Sequence, residues 1–381
     1  MSEITSWNVE KINCTVVIPT YNRPAYLKRI LSYYHKYGKN LPVLIADSSS
    51  EDNKTLNRGT VNSFTGAFFT YLDKYGPSTD PWDKVHDAFQ QVSTEYCVLC
   101  ADDDFITPSG IQEAAAFLDI NPNFNIAHGH YLGFQLEIVP GSEPKFCWYK
   151  RYVYQSINHP EPQDRLSYLL SNASAAVPTM HAVFRTNLQK MIYAEVVRST
   201  SDSRFAEILY ESLVIIYGKI KYLEILYEAR DNTSSHTVTD SLPDFVKEGS
   251  YNKKYLKFSN SLANHLSKQS GIGLAESQKI VDTAVSVYME KKYFPKTDKI
   301  ATMSTMSKII QKVVQLNLPN WLYSSLRRLY RSYKYLLQSP TENAYDSFIY
   351  TVDAPASKYY HDFNQIRSQV LSSAGDKYLI E

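Results

Sequence analysis

Three consecutive carboxylates, Asp102, Asp103 and Asp104, directly follow the apolar run 96–100. Adjacent carboxylates repel one another, and taking any of them out of water is costly. A hard divalent cation relieves both problems. Mg²⁺ or Mn²⁺ prefers carboxylate oxygen, and magnesium commonly takes one or two carboxylates together with a substrate's phosphates. A solvated acidic turn capping the next helix would have the same composition. Position favours the metal: the triplet ends a core strand, and Pro108 opens a helix shortly after it. A second acid, Asp47, ends the run 41–46. There it can hydrogen-bond a base or a ribose, or close an Asx turn with Ser48 to Ser50. A third polar cluster, Thr20-Tyr21-Asn22-Arg23, follows the run 14–19.

The elements that must position these clusters are legible in the periodicity. Strands are expected at 14–19, 41–46, 67–72 and 96–100 from short β-branched or apolar runs. Helices are expected at 24–37, where Leu27, Ile30, Leu31 and Tyr34 share one side, at 80–92 and from Pro108 to about 118. Such alternation argues for an α/β fold whose mainly parallel sheet carries helices on both faces. Ligands of these sheets bind beyond the carboxyl ends of the strands, so the topology would bring the three polar clusters to one edge. From 125 to 185 the pattern is mixed, with short strands and turns. A helix is expected at 204–217, a last strand at 222–227 and a polar loop at 230–240.

Length and composition bound the rest. At roughly 150 residues per domain, 381 residues suggest two or three units. Apolar residues are 44% and charged residues 21%, which fits a globular core rather than disorder. The formal net charge of +1 makes the whole molecule no polyanion binder, so no nucleic-acid partner is expected. The four cysteines, Cys14, Cys97, Cys100 and Cys147, read as small buried hydrophobes. The CxxC spacing of Cys97 and Cys100 lies inside a strand pattern rather than on a turn. The polar start and the absence of a run of about 18 apolar residues predict neither a signal peptide nor a spanning helix. A cytoplasmic protein is expected, either soluble or peripheral at the inner face of the cell membrane.

The segments VIPTYNRP, VLIADSSS and YCVLCADDDFITPSG, in this order and at this spacing, resemble the large GT-A group of inverting glycosyltransferases, the family 2 type. The likeness covers about 12–240 and is closest to a bacterial subgroup with an ADDDF signature. It implies a GT-A, Rossmann-like catalytic domain over 1–242, with a nucleotide-sugar-binding part at about 12–120 and an acceptor part at about 121–242, followed by a helical region over 243–381. It implies transfer of a sugar from a nucleotide-sugar donor, a UDP-sugar above all, to a glycan or lipid-linked acceptor, with Mn²⁺ or Mg²⁺ as cofactor. The destination would be a bacterial surface polysaccharide such as capsule or the O-antigen of lipopolysaccharide.

Residue by residue, the resemblance places Pro19, Thr20, Tyr21, Asn22 and Arg23 beside the nucleotide and Asp47 on the base. Asp103 takes the place of the family's metal ligand. Asp102 and Asp104 flank it, reaching ribose or the metal. Ala101 stands where many members begin the motif with aspartate, which leaves the direct ligand open among these acids. Arg230 and His236, in EARDNTSSH, match residues that contact the diphosphate or the metal; Lys84, on the helix before the acidic strand, reads either as a further cation approaching the diphosphate or as a solvated lysine. An inverting transfer needs a general base. Glu207 is the leading candidate, with Asp202 and Glu211 behind it; Glu207 and Glu211 share a helix face. The family's usual Glu-Asp pair is not evident, which keeps open a catalytically inactive nucleotide- or glycan-binding protein on the same fold. Within 319–337, Leu322, Leu326, Leu329, Tyr333 and Leu336 form one helical stripe, opposite Arg327, Arg328, Arg331 and Lys334. That arrangement suits an anionic membrane surface or a helix packed on the catalytic domain.

Overall fold

The computed structural model describes residues 13–137, 143–152, 155–172, 179–200, 202–232, 251–293 and 352–375. Strands β1 (Cys14–Thr20), β2 (Val43–Asp47), β3 (Phe69–Leu72) and β4 (Tyr96–Leu99) lie parallel in the order β3-β2-β1-β4. The sheet continues through β8 (Val183–Arg185), β6 (Phe124–Glu137), β9 (Lys219–Asp231) and the two-residue β5 (Phe105–Ile106), while β7 (Lys145–Tyr152) pairs with β6. Strands β6 and β9 run with the first four; β5, β7 and β8 run against them. The expected α/β architecture is therefore present, a mainly parallel sheet of nine strands flanked by helices.

Residue alternation along the strands builds two cores. Val17, Leu44, Ala46, Cys97 and Leu99 point to one face, and Val16, Ile18, Val43, Ile45, Val98 and Cys100 to the other. Cys97 and Cys100 thus lie in separate buried clusters, as free thiols. On the first face pack α3 (Pro81–Gln90), α5 (Pro162–Ser171), α6 (Thr186–Ser199) and α7 (Ser203–Tyr217), together with the helices Tyr251–Ser270 and Leu274–Tyr293. On the second pack α1 (Pro24–Tyr37), α4 (Pro108–Ile120) and the helix Tyr360–Ser373, which buries Phe363, Ile366 and Val370. Among the described residues no helix is long and apolar enough to cross a membrane. The stripe at 319–337 lies outside them.

Several elements differ from expectation: β9 runs Lys219–Asp231 and so carries Arg230 in the strand, and α5 stands where only short strands and turns were expected. Residues 51–63 form a helix, α2 (Glu51–Ser63), where only a serine-rich turn was legible. Its buried positions are Lys54 and Asn57, so its inner face is polar and gives no apolar period. Residues 124–137 form one long strand rather than short pieces. It is bulged near His128 and His130, and it approaches β9 so closely that a Cβ on Gly129 would lie 2.7 Å from Ile225 and Tyr227.

Candidate active site

Strand order reverses between β1 and β4, which opens a crevice at their carboxyl ends. The crevice is bridged there by polar side chains. Thr20 Oγ donates to Asp102 Oδ2 at 2.7 Å. Arg23 Nη1 donates to Asp102 Oδ1 at 3.1 Å and to Asp103 Oδ2 at 2.8 Å. Asn22 adopts a left-handed φ of 54°, a conformation its short polar side chain tolerates. Its N–H donates to Ser49 Oγ at 2.7 Å and its Oδ1 accepts from the Ser50 N–H at 2.9 Å, so the loops after β1 and β2 are held together. Tyr21 beside it is half-exposed, while Pro19 stays in the β1–β2 ladder opposite Ala46.

Asp47 is wholly buried. Its carboxylate accepts from the Ser49 N–H at 2.7 Å, from Asn57 Nδ2 at 2.7 Å and from the Tyr71 hydroxyl at 2.6 Å. The Asx turn and α2 thus take up most of its accepting capacity. Lys84, buried on α3, donates to the Thr20 carbonyl at 3.0 Å and to Ser48 Oγ at 2.8 Å. Burial holds its ammonium below the usual lysine range, against the pull of Asp47 and Asp102. Both residues tie strand ends together beneath the crevice.

The acidic triplet is gripped from several sides. Burial first, then the charge of Asp103, pushes the Asp102 carboxyl up to about 6, against Arg23 and Thr20. The same two causes push Asp104 well above the usual carboxylate range. Asp104 Oδ1 accepts from the Asp231 N–H at 3.0 Å. Thr107 caps α4 and donates to the Leu226 carbonyl at 2.8 Å. Arg29, buried on α1, donates to the Asp103 carbonyl at 2.7 Å and to Asp231 Oδ2 at 2.9 Å. Its guanidinium stands over Tyr26 and Phe105, at 4.8 and 5.2 Å from the ring centroids.

Beyond Asp104 lies a second charged group that the sequence reading missed. Glu228, fully buried in β9, accepts from Arg230 Nε at 2.7 Å and meets His181 Nδ1 at 2.5 Å. Its other oxygen faces His128 Nε2 at 3.2 Å, and His128 Nδ1 donates to the Gly129 carbonyl at 2.6 Å. Burial raises the Glu228 carboxyl, but Arg230 and His181 outweigh it and hold the group well below its ordinary value. Arg230 also covers the ring of Tyr131, 4.8 Å from its centroid. An acid inside the run Leu226-Tyr227-Glu228-Ala229 was the available signal for this group; a lone His181 gave none.

The candidate bases are placed differently. Asp202 caps α7, and its carboxylate is engaged by Arg204 Nη2 at 2.8 Å and Lys254 Nζ at 3.2 Å. Burial raises its pKa, but Arg204 and Lys254 outweigh burial and hold it below the usual carboxylate value. Glu207 is exposed and Glu211 half-buried on the same helix. His236 lies outside the described residues.

The geometry stands alongside three solved structures. No protein-family model and no curated protein matches the chain. It is similar in structure to S. aureus TarS 1-349 in complex with UDP-GlcNAc, at 16% identity and a TM-score of 0.49, over 75% of this chain and 74% of that one. It is also similar to the mannosyltransferase PcManGT from Pyrobaculum calidifontis in complex with GDP-Man and Mn²⁺, at 11% identity and a TM-score of 0.43, over 96% and 88%. A third likeness is to glucosyl-3-phosphoglycerate synthase from Mycobacterium tuberculosis with Mn²⁺, UDP and glucosyl-3-phosphoglycerate, at 12% identity and a TM-score of 0.35, over 72% and 88%.

Proposed function

We propose that the chain is a glycosyltransferase of the GT-A type that moves a sugar from a nucleotide-sugar donor to a hydroxyl of a glycan or lipid-linked acceptor. The observation that carries this reading is the bridged crevice itself. Thr20, Arg23, Asp102 and Asp103 join across the β1–β4 switch point, where α/β sheets bind nucleotides. The nucleoside lies along the loops 20–23 and 47–50, with the exposed Tyr21 ring available to it. Arg23, which pairs with Asp102 and Asp103, and Arg230, whose charge acts on Asp104, orient the diphosphate.

A divalent cation fits the acidic loop. Asp102 and Asp104 are pushed up by burial and by the charge of Asp103, and Asp104 Oδ2 accepts no hydrogen bond among the described residues. Mn²⁺ or Mg²⁺ would be held at this loop with Asp104 supplying carboxylate oxygen, and when bound it supplies positive charge to the departing diphosphate. A uridine diphosphate sugar as donor, inversion at the anomeric carbon and use in bacterial surface polysaccharide synthesis are the finer parts of the proposal; they rest on the likeness of the three motifs. For the base, Glu207 is favoured over Asp202. Arg204 and Lys254 depress the Asp202 carboxyl, and a general base works best with a pKa near the working pH.

That same engagement of Asp202 favours a second reading, a nucleotide- or glycan-binding protein without transferase activity. A thermal-shift screen of nucleoside diphosphates and nucleotide sugars, with and without Mn²⁺, tests the main proposal. Stabilisation by one nucleotide class, lost in Arg23→Ala, supports it; none in folded protein removes it. Slow Mn²⁺-dependent hydrolysis of the same donor separates the enzyme from the binding protein, since a live transfer site leaks to water.

A further inference from the structure

The acidic loop, the turn Thr179–His181 and strand β9 converge on one point. Asp104, His181 and Glu228 each present a ligand atom there, all within 4.8 Å of one another. His181 Nδ1 lies 2.5 Å from Glu228 Oε1 and 3.9 Å from Asp104 Oδ2. Ligand atoms about 2.1 Å from an octahedral cation and at right angles lie about 3 Å apart, between those two distances. Asp104 Oδ1 accepts from the Asp231 N–H, while its Oδ2 accepts no hydrogen bond among the described residues and faces His181.

We propose that the divalent cation of this protein is bound by Asp104, His181 and Glu228, with Asp103 given instead to Arg23. The use of the cation rests on the transferase reading above; the ligand set rests on the geometry alone. Two carboxylates supply hard oxygen donors, and one imidazole moves the preference from Mg²⁺ toward Mn²⁺. The surroundings fit a ligand set held in place. His128 and Arg230 hold Glu228 in place, and the Asp231 N–H holds Asp104. Arg230 also offsets part of the negative charge that two carboxylates bring to the site.

Electron paramagnetic resonance of Mn²⁺ added to the full chain, without nucleotide, tests the assignment. The wild type is expected to bind Mn²⁺ and to show in pulsed spectra a directly coordinated imidazole nitrogen. His181→Ala should lose that nitrogen coupling and weaken Mn²⁺ by at least about tenfold, since even outer residues of metal sites commonly cost 10–100-fold. Asp104→Asn, a second variant of the same volume, should weaken binding similarly, whereas Asp103→Asn should keep the coupling. Metal-free melting curves verify that each variant is folded. Coupling that survives His181→Ala, coupling that vanishes in His236→Ala, or no Mn²⁺ binding by folded wild type overturns the site. Binding of nucleoside diphosphates is measured in parallel. Nucleotide binding without the His181 signature removes this site and leaves the transferase reading. The signature without nucleotide binding does the reverse.

Discussion

Replacing Arg29 by methionine tests how the acidic loop is held. Arg29 and Asp231 form an ion pair at 2.9 Å with both side chains 2% exposed. Removing one partner of such a pair strips the other buried charge of its counter-ion at that position, which costs about 3–5 kcal/mol. Methionine suits the site sterically, because Tyr26, Phe105 and Phe134 surround the guanidinium and a thioether packs well on rings. At about 2–4 °C per kcal/mol for a domain of this order, the melting temperature should fall by about 6–20 °C. Urea denaturation gives the free energy directly. The double variant Arg29→Met/Asp231→Asn removes both charges and should be less destabilised than the sum of the single variants, with a coupling of about 1–3 kcal/mol. A cost below about 1 kcal/mol for Arg29→Met, or a double variant equal to the sum, would refute the reasoning.

Other expectations follow from single contacts. Tyr71→Phe removes a 2.6 Å hydrogen bond to the buried Asp47 carboxylate and should cost about 1.5–3 kcal/mol in urea denaturation; an unchanged midpoint would show that Asn57 and Ser49 suffice. Gly129→Ala forces a Cβ to within 2.7 Å of Ile225 and Tyr227 and should destabilise by about 1–3 kcal/mol, measured the same way. Asp202 carries a pKa held below its unfolded value, so its contribution is present above the unfolded pKa and lost as pH falls through the folded one. Asp202→Asn should therefore be less stable than wild type at pH 7, with the gap closing as pH falls below about 4; a gap independent of pH would contradict the ion pairs.

Much of the first half of the chain was legible because strand ends announce themselves. A β-branched run that stops at Thr20, Asp47 or Asp102 marks both the strand and the polar edge beyond it. Helix α1 was legible from Leu27, Ile30 and Leu31, but Arg29 lies on the far side of the helix from that stripe, so the sequence reads it as solvated and its burial was not legible. Its partner Asp231 was not legible, because pairing across the sheet depends on the order of strands and not on local pattern. The same holds for Glu228 and His181, which meet only when β9 passes the turn before β8. Asp47 shows the opposite case. Its position was evident, yet its carboxylate is largely taken by Asn57 and Tyr71, which come from a polar helix and an edge strand with weak signals of their own.

The contact between Arg29 and Asp231 joins residues 202 positions apart, and the one between Asp104 and the Asp231 N–H spans 127. A nascent chain therefore carries its three recognisable motifs long before their geometry can be fixed. At about 5–20 residues per second, strand β9 is made roughly 10–40 s after Arg29. During that interval Arg29 lacks the Asp231 carboxylate and Asp104 lacks the Asp231 N–H, whereas Thr20 and Arg23 are already present to hold Asp102 and Asp103. Chains stalled before residue 231 should thus hold the β1–β4 sheet and the Thr20 and Arg23 contacts without the Asp231 contacts to Arg29 and Asp104.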